Sequence, residues 1–157
     1  MQDHGFPNGA DDARRGIDFI GVSCGFICHD GKRRFVLSKR SINCRDEQGC
    51  WEHGSGSHEF GERIEETVKR EIEEEYGAEA SDIQFLGVVE AHRKLADGRP
   101  THWVNVLYSA KVDPGQVHNN EPYKIEDVEW FTLGTLPSPI KPHIKKSLDT
   151  AHAAGVI

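Results

Sequence analysis

The chain has no apolar run that could cross a bilayer. Its longest apolar stretch, residues 19–27, is far short of the roughly 20 residues a membrane-spanning helix needs. Its first 16 residues, MQDHGFPNGADDARRG, lack the apolar core of a signal peptide. A cytoplasmic location and no membrane partner are therefore expected. There is also no excess of positive charge: 19 Lys and Arg stand against 26 Asp and Glu, a net charge of −7. That balance argues against a partner such as long nucleic acid, whose backbone needs a basic surface. No Cys-x-x-Cys pair occurs among the four cysteines, Cys24, Cys28, Cys44 and Cys50. His29, His53 and His58 lie near them in sequence, but zinc-ligand spacing is missing, so reduced, partly buried thiols are expected. Neither an internal repeat nor an interdomain linker interrupts the chain.

What is present is one domain's worth of sequence, 157 residues, long enough to bury a core. Residues 1–16 read as a flexible polar tail, and 17–157 as the folded domain. In 17–28, Ile20, Val22, Cys24, Phe26 and Cys28 alternate, which predicts a strand. His29-Asp30-Gly31-Lys32 predicts a turn into a second strand at Phe35-Val36-Leu37. Residues 41–57 lack periodicity and read as a loop, with a short strand near Trp51. Ile64, Val68, Ile72 and Tyr76 recur every four residues and predict a helix over 61–76, stopped by Gly77. Strands follow at 83–91, 101–110 and 128–131. A terminal helix after Pro137-Ser138-Pro139 carries Ile144, Leu148 and Ala151 on one face. This order predicts an α/β domain with a mixed sheet and packed helices.

The segment 56–77, GSHEFGERIEETVKREIEEEYG, holds eight acids and three bases, so five of the seven net negative charges fall in 22 residues. On a helix, Glu71, Glu74 and Glu75 share one side. Like charges three and four residues apart are mildly destabilising, and a solvated acidic face selected for stability alone would avoid them. A hard divalent cation reverses the sign, because oxygen ligands clustered on one face suit Mg²⁺ or Mn²⁺. The apolar stripe would hold this helix, and so the carboxylates, against the sheet.

These residues resemble the Nudix box, G-x5-E-x7-R-E-U-x-E-E-x-G-U, where U is a bulky aliphatic residue. Gly56, Glu62, Arg70, Glu71, Ile72, Glu74, Glu75 and Gly77 match it. Ala78 departs from the last position, and Gly54-Ser55-Gly56 stands where relatives usually have Pro-Gly-Gly. The resemblance extends through Leu37-Ser38-Lys39-Arg40, Trp51, Glu121-Pro122-Tyr123-Lys124 and Glu129-Trp130-Phe131. It implies a Nudix-type α/β/α sandwich with a mixed β-sheet. Within the superfamily, Glu59-Phe60-Gly61-Glu62 and His102-Trp103-Val104-Asn105-Val106 are similar to MutT-like nucleoside triphosphate diphosphatases.

The resemblance also implies roles. Glu71, Glu74 and Glu75 would bind Mg²⁺, for which Mn²⁺ can substitute, with backbone help from Ser55 and Gly56. Glu74 or Glu75 would also orient or deprotonate the attacking water. Arg70 would pair with a neighbouring carboxylate and fix its rotamer, and Glu62 would likewise support the ligands without binding the metal. Glu121 would add a metal ligand or a general base, with Glu126 and Asp127 as rivals. Arg40 would contact phosphate, and Trp103 or Phe26 would stack on a base. The implied function is Mg²⁺-dependent hydrolysis of the diphosphate linkage of a nucleoside triphosphate, giving a monophosphate and pyrophosphate. The alternatives are a nucleotide sugar or dinucleoside polyphosphate as substrate, or a nucleotide-sensing domain without turnover. A homodimer is compatible with the sequence.

Overall fold

A computed structural model describes residues 13–157. Seven strands form one sheet: β1 (Gly21–His29), β2 (Phe35–Arg40), β3 (Trp51–Glu52), β4 (Gly54–Ser57), β5 (Ser81–Lys94), β6 (Pro100–Lys111) and β7 (Ile125–Phe131). Helix α1 (Ile64–Tyr76) follows β4, and α2 (Pro142–Ala153) closes the chain. The order along the sheet is β3-β2-β1-β6-β5, with β4 on β1 and β7 on β2. Among the described strand pairs β1 and β6 run parallel and the others antiparallel. The sheet is therefore mixed, as expected.

The two helices cover opposite faces of the sheet. Against α1 lie Cys24, Phe26, Cys28 and Val36, packed on Val68, Ile72 and Tyr76. The rings of Phe26 and Tyr76 meet edge to face at 5.9 Å. On the other face Ile27, Phe35, Leu37, Val89 and Leu107 pack on Leu148 and Ala151 of α2. The expected stripe on β1 is buried only from Cys24 onward; Ile20 and Val22 stay exposed because α1 does not reach them. The opposite face of β1 is buried too, which the alternating pattern did not show.

Residues 1–12 of the expected tail lie outside the described residues. Its end belongs to the fold: the Gly16 carbonyl accepts from the His102 amide at 2.8 Å, and Arg15 pairs with Glu59 at 3.2 Å. The expected loop at 41–57 needs a larger correction, since it contains β4 as well as β3. Strand β4 reads Gly-Ser-Gly-Ser and has no apolar periodicity to betray it. It forms because the sheet splays: β1 and β2 are paired only at His29–Phe35, and β4 takes the vacated edge of β1 from Ser23 to Phe26.

Close approach explains both of its glycines. A Cβ at Gly54 would run into the Phe26 ring, and one at Gly56 into the Glu71 carboxylate. Gly54→Ala should therefore lower stability by about 1–3 kcal/mol through overpacking. Ile72→Ala, which empties a fully buried site, should cost about 2–5 kcal/mol. Urea unfolding of the two variants checks both values.

Candidate active site

Where the sheet splays, β2, β3, β4 and the C-terminal half of α1 enclose a cavity of about 350 Å³. Its wall carries six carboxylates, Glu52, Glu59, Glu71, Glu74, Glu75 and Glu121, against two bases, Arg40 and Lys124. Helix α1 supplies the central three. Acidic residues at its first turn, Glu65 and Glu66, suit the helix dipole, and Glu66 also accepts from the Arg63 amide at 3.0 Å. Its last turn has no basic residue and instead carries Glu73, Glu74 and Glu75, against the dipole. Gly77 ends the helix in the left-handed conformation, φ 62°, as expected.

Arg70 organises the cluster. Its Nε and Nη2 donate to both oxygens of Glu62, at 2.8 and 3.0 Å. Its Nη1 donates to Glu71 at 2.7 Å and lies 3.4 Å from Glu74. Glu62 also accepts from the Thr67 hydroxyl at 2.7 Å. These donors, the Arg70 guanidinium first, hold the Glu62 carboxyl down at about 2. Glu62 and Arg70 thus form a braced pair that orients the Glu71 carboxylate.

The loop after β6 delivers Glu121. The amides of His118 and Asn120 donate to the Tyr76 and Glu75 carbonyls, both at 3.0 Å, and so cap α1. This cap brings Glu121 into the cavity, where Lys124 holds it at 2.6 Å. Its sequence rivals lie elsewhere: Glu126 pairs with Lys39 at 3.0 Å, and Asp127 sits on β7 opposite Lys39.

Burial raises the carboxyl groups of both Glu71 and Glu75, most strongly Glu75. For Glu75 the repulsion of Glu52, Glu71 and Glu121 adds to burial, and the Ser55 backbone amide offsets part of it. Six carboxylates against two bases leave the cavity short of positive charge. Oxygen donors on a rigid helix beside the backbone of β4 fit Mg²⁺ or Mn²⁺. Ser55 and Gly56 line the cavity, Gly56 directly against Glu71, so the Ser-for-Gly departure at 55 leaves the close approach intact.

A second cavity, about 160 Å³, adjoins the first and shares Arg40, Ser55, Gly56 and Ser57 with it. Trp103 and Asn105 of β6, Arg93 of β5 and His143 of α2 line it. Asn105 donates to Ser23 at 3.0 Å, while its carbonyl oxygen is buried with no hydrogen-bond partner among the described residues; Arg93 Nε lies 3.5 Å from Glu47. The Trp103 indole packs against the backbone of Gly16 and Gly21, with the Arg45 guanidinium 5.3 Å over its ring. Phe26, the other aromatic candidate, is wholly buried in the core and can stack on nothing but protein.

Arg40 lies between the cavities, but its guanidinium is engaged by Glu52 at 2.6 Å and Asp46 at 2.7 Å. Its first task is to neutralise these two acids, which the strand position alone did not reveal. Glu52, Lys124 and the Arg93–Asp46–His143 group were missed in the sequence. The Arg93–Asp46–His143 group joins segments about fifty residues apart, and none of these residues has a local pattern.

The family model of the NUDIX domain matches residues 20–151. The chain belongs to the NUDIX domain family. Among solved structures it is similar to a MutT NUDIX hydrolase from Burkholderia pseudomallei, 32% identical with a TM-score of 0.73, covering 84% of this chain and 98% of that one. Its sequence is 31% identical to an ADP-ribose pyrophosphatase of Methanocaldococcus jannaschii, over 77% of this chain and 66% of the relative. It is 27% identical to the 8-oxo-dGDP phosphatase NUDT18 of Mus musculus over 69% of this chain, and spans only 31% of that protein's length. The Nudix fold expected from the box is the fold observed.

The electrostatics give a signed prediction. Folded Glu75 holds its proton above the ordinary 4.5, so the metal-free protein should lose stability as pH rises from there through the folded value. Glu75→Gln should then be more stable than the wild type at pH ~8 without metal. Mg²⁺ at 100 times its Kd should stabilise the wild type by about 2.7 kcal/mol and the variant by much less. Thermal unfolding with EDTA and with MgCl₂ measures both differences.

Proposed function

We propose that the chain is a Mg²⁺-dependent Nudix pyrophosphohydrolase that cleaves a nucleoside triphosphate, or a related nucleotide, to a monophosphate and pyrophosphate. One observation carries this reading: a carboxylate-walled cavity opens beside a pocket lined by an aromatic ring and polar side chains. A nucleotide has the same two parts, a polyphosphate and a base with its sugar. The names of the relatives, a MutT hydrolase, an ADP-ribose pyrophosphatase and an 8-oxo-dGDP phosphatase, support diphosphate chemistry on a nucleotide.

Glu71, Glu74 and Glu75, with the backbone of Ser55 and Gly56, would hold Mg²⁺. When bound, the ion supplies charge neutralisation to the phosphates and lowers the cost of charge on the leaving group. Glu74 is the carboxylate best placed to take a proton from the attacking water. Its side chain is 53% exposed and its Arg70 contact is long, so it is free to turn. Glu121, tethered by Lys124, would orient the water from the opposite wall. Lys124 and Arg40 would lie near phosphate oxygens, Arg40 through whatever donors Glu52 and Asp46 leave free. In the adjoining pocket a base would stack on Trp103, taking the place of the Arg45 guanidinium. Asn105 would offer its free carbonyl oxygen to an N–H of the base or its sugar. Small nucleotides, not long nucleic acids, suit the net charge of −7. A homodimer would cover the exposed Ile20, Val22 and Val88.

A panel of dNTPs, NTPs, nucleotide sugars, ADP-ribose and dinucleoside polyphosphates tests the reading. Turnover should require divalent metal and favour one nucleotide class. Glu74→Gln should reduce kcat by about 10²–10⁴ without changing the fold. Trp103→Ala should raise KM more than it lowers kcat. Nucleotide binding without turnover across the whole panel would make the chain a sensor instead.

A further inference from the structure

Outside the acidic cavity, one group of side chains on the outer face of the β5–β6 hairpin has the chemistry of a different metal. His92 and His102 are direct cross-strand partners. Their rings stack, with centroids 4.3 Å apart and planes 29° from parallel. Glu90, two residues before His92 on β5, shares that face, and its Oε1 lies 3.2 Å from His102 Nε2. One ligand atom from each of the three residues lies within 4.8 Å of the other two.

We propose that Glu90, His92 and His102 bind a borderline transition-metal ion, with Zn²⁺ as the probe. Two imidazoles and one carboxylate form a ligand set found with zinc, with a fourth position left to water. Ligand atoms around a tetrahedral ion at 2.0–2.1 Å lie roughly 3.3–3.5 Å apart. The Glu90–His102 pair, at 3.2 Å, lies just short of that spacing. The remaining approach needs only rotation of two exposed side chains, since the strand pairing fixes the backbones. The site is separate from the oxygen-only cluster on α1 in both place and chemistry. Nitrogen donors prefer Zn²⁺, Ni²⁺ or Cu²⁺ over Mg²⁺, so the two sites sort different ions. Its occupancy also bears on the pocket behind it. Ala91, Arg93 and Trp103 alternate with these ligands along the same strands and line the smaller cavity. An ion tying β5 to β6 would stiffen that wall. The inference does not depend on the proposed hydrolysis.

The test is calorimetric titration of the full chain with ZnCl₂, in saturating Mg²⁺ and a non-thiol reductant. One equivalent of Zn²⁺ should bind. His92→Ala and His102→Ala should each weaken binding about 100-fold or more, beyond the 10–100-fold typical of losing an outer-shell partner. Glu90→Ala should weaken it by about 100-fold or more as well, again beyond that outer-shell range. Metal-free thermal unfolding should be the same for all four proteins, which separates lost ligands from lost fold. With Co²⁺ in place of Zn²⁺, visible d–d bands should appear without a sulfur-to-cobalt charge-transfer band. Absent Zn²⁺ binding, equal binding by the double His variant, or a sulfur band from the cysteines would each overturn the proposal.

Discussion

The site depends on one guanidinium. Arg70 grips Glu62 with two donors and Glu71 with a third, and stands next to Glu74. Without it, Glu62, Glu71 and Glu74 would repel one another and lose the one cation they share. Holding them needs the rest of the fold. The stripe Val68–Ile72–Tyr76 presses α1 on the sheet, and the splay of β1 from β2 admits β4 against Glu71. The loop 118–120 caps the helix and delivers Glu121. Each element serves to keep negative charge concentrated at one place.

That concentration is costly by itself. Burial alone raises Glu75, and three neighbouring acids raise it further. The last turn of α1 also sets its acids against the helix dipole. A fold selected for stability would have replaced at least one of them. The cost is intelligible when a divalent ion completes the site, for then the same carboxylates become ligands and their repulsion becomes attraction. The net charge of −7 changes meaning in the same way. Most of it belongs to one cavity rather than to the surface at large.

Much of this was legible before the structure. Helix α1, its Gly77 stop and the shared side of Glu71, Glu74 and Glu75 follow from four-residue spacing, which depends only on local geometry. The hairpin strands 83–91 and 101–110 were also found, each shorter than observed. Strand β4 was not, because Gly-Ser-Gly-Ser carries no periodicity; its strand character comes from the empty edge of β1. The Nudix resemblance pointed to Gly56, but the reason, the Glu71 carboxylate where a Cβ would stand, needed the packed helix. Glu121 was named with two rivals because residues 121–127 have no pattern that separates them; the cap on α1 does. Arg40 was read from its strand end, and the two acids that engage it come from segments six and twelve residues away. The smaller pocket, assembled from β5, β6 and α2, had no linear signature beyond Trp103.

The central claim is that the carboxylate cluster is a metal site for breaking a diphosphate linkage. Phosphorus-31 NMR of a nucleoside triphosphate, incubated with the protein in Mg²⁺ and then in EDTA, tests it most directly. The account predicts nucleoside monophosphate and pyrophosphate with Mg²⁺, and unchanged substrate with EDTA. Hydrolysis that persists in EDTA, or substrate left intact with Mg²⁺, would contradict it.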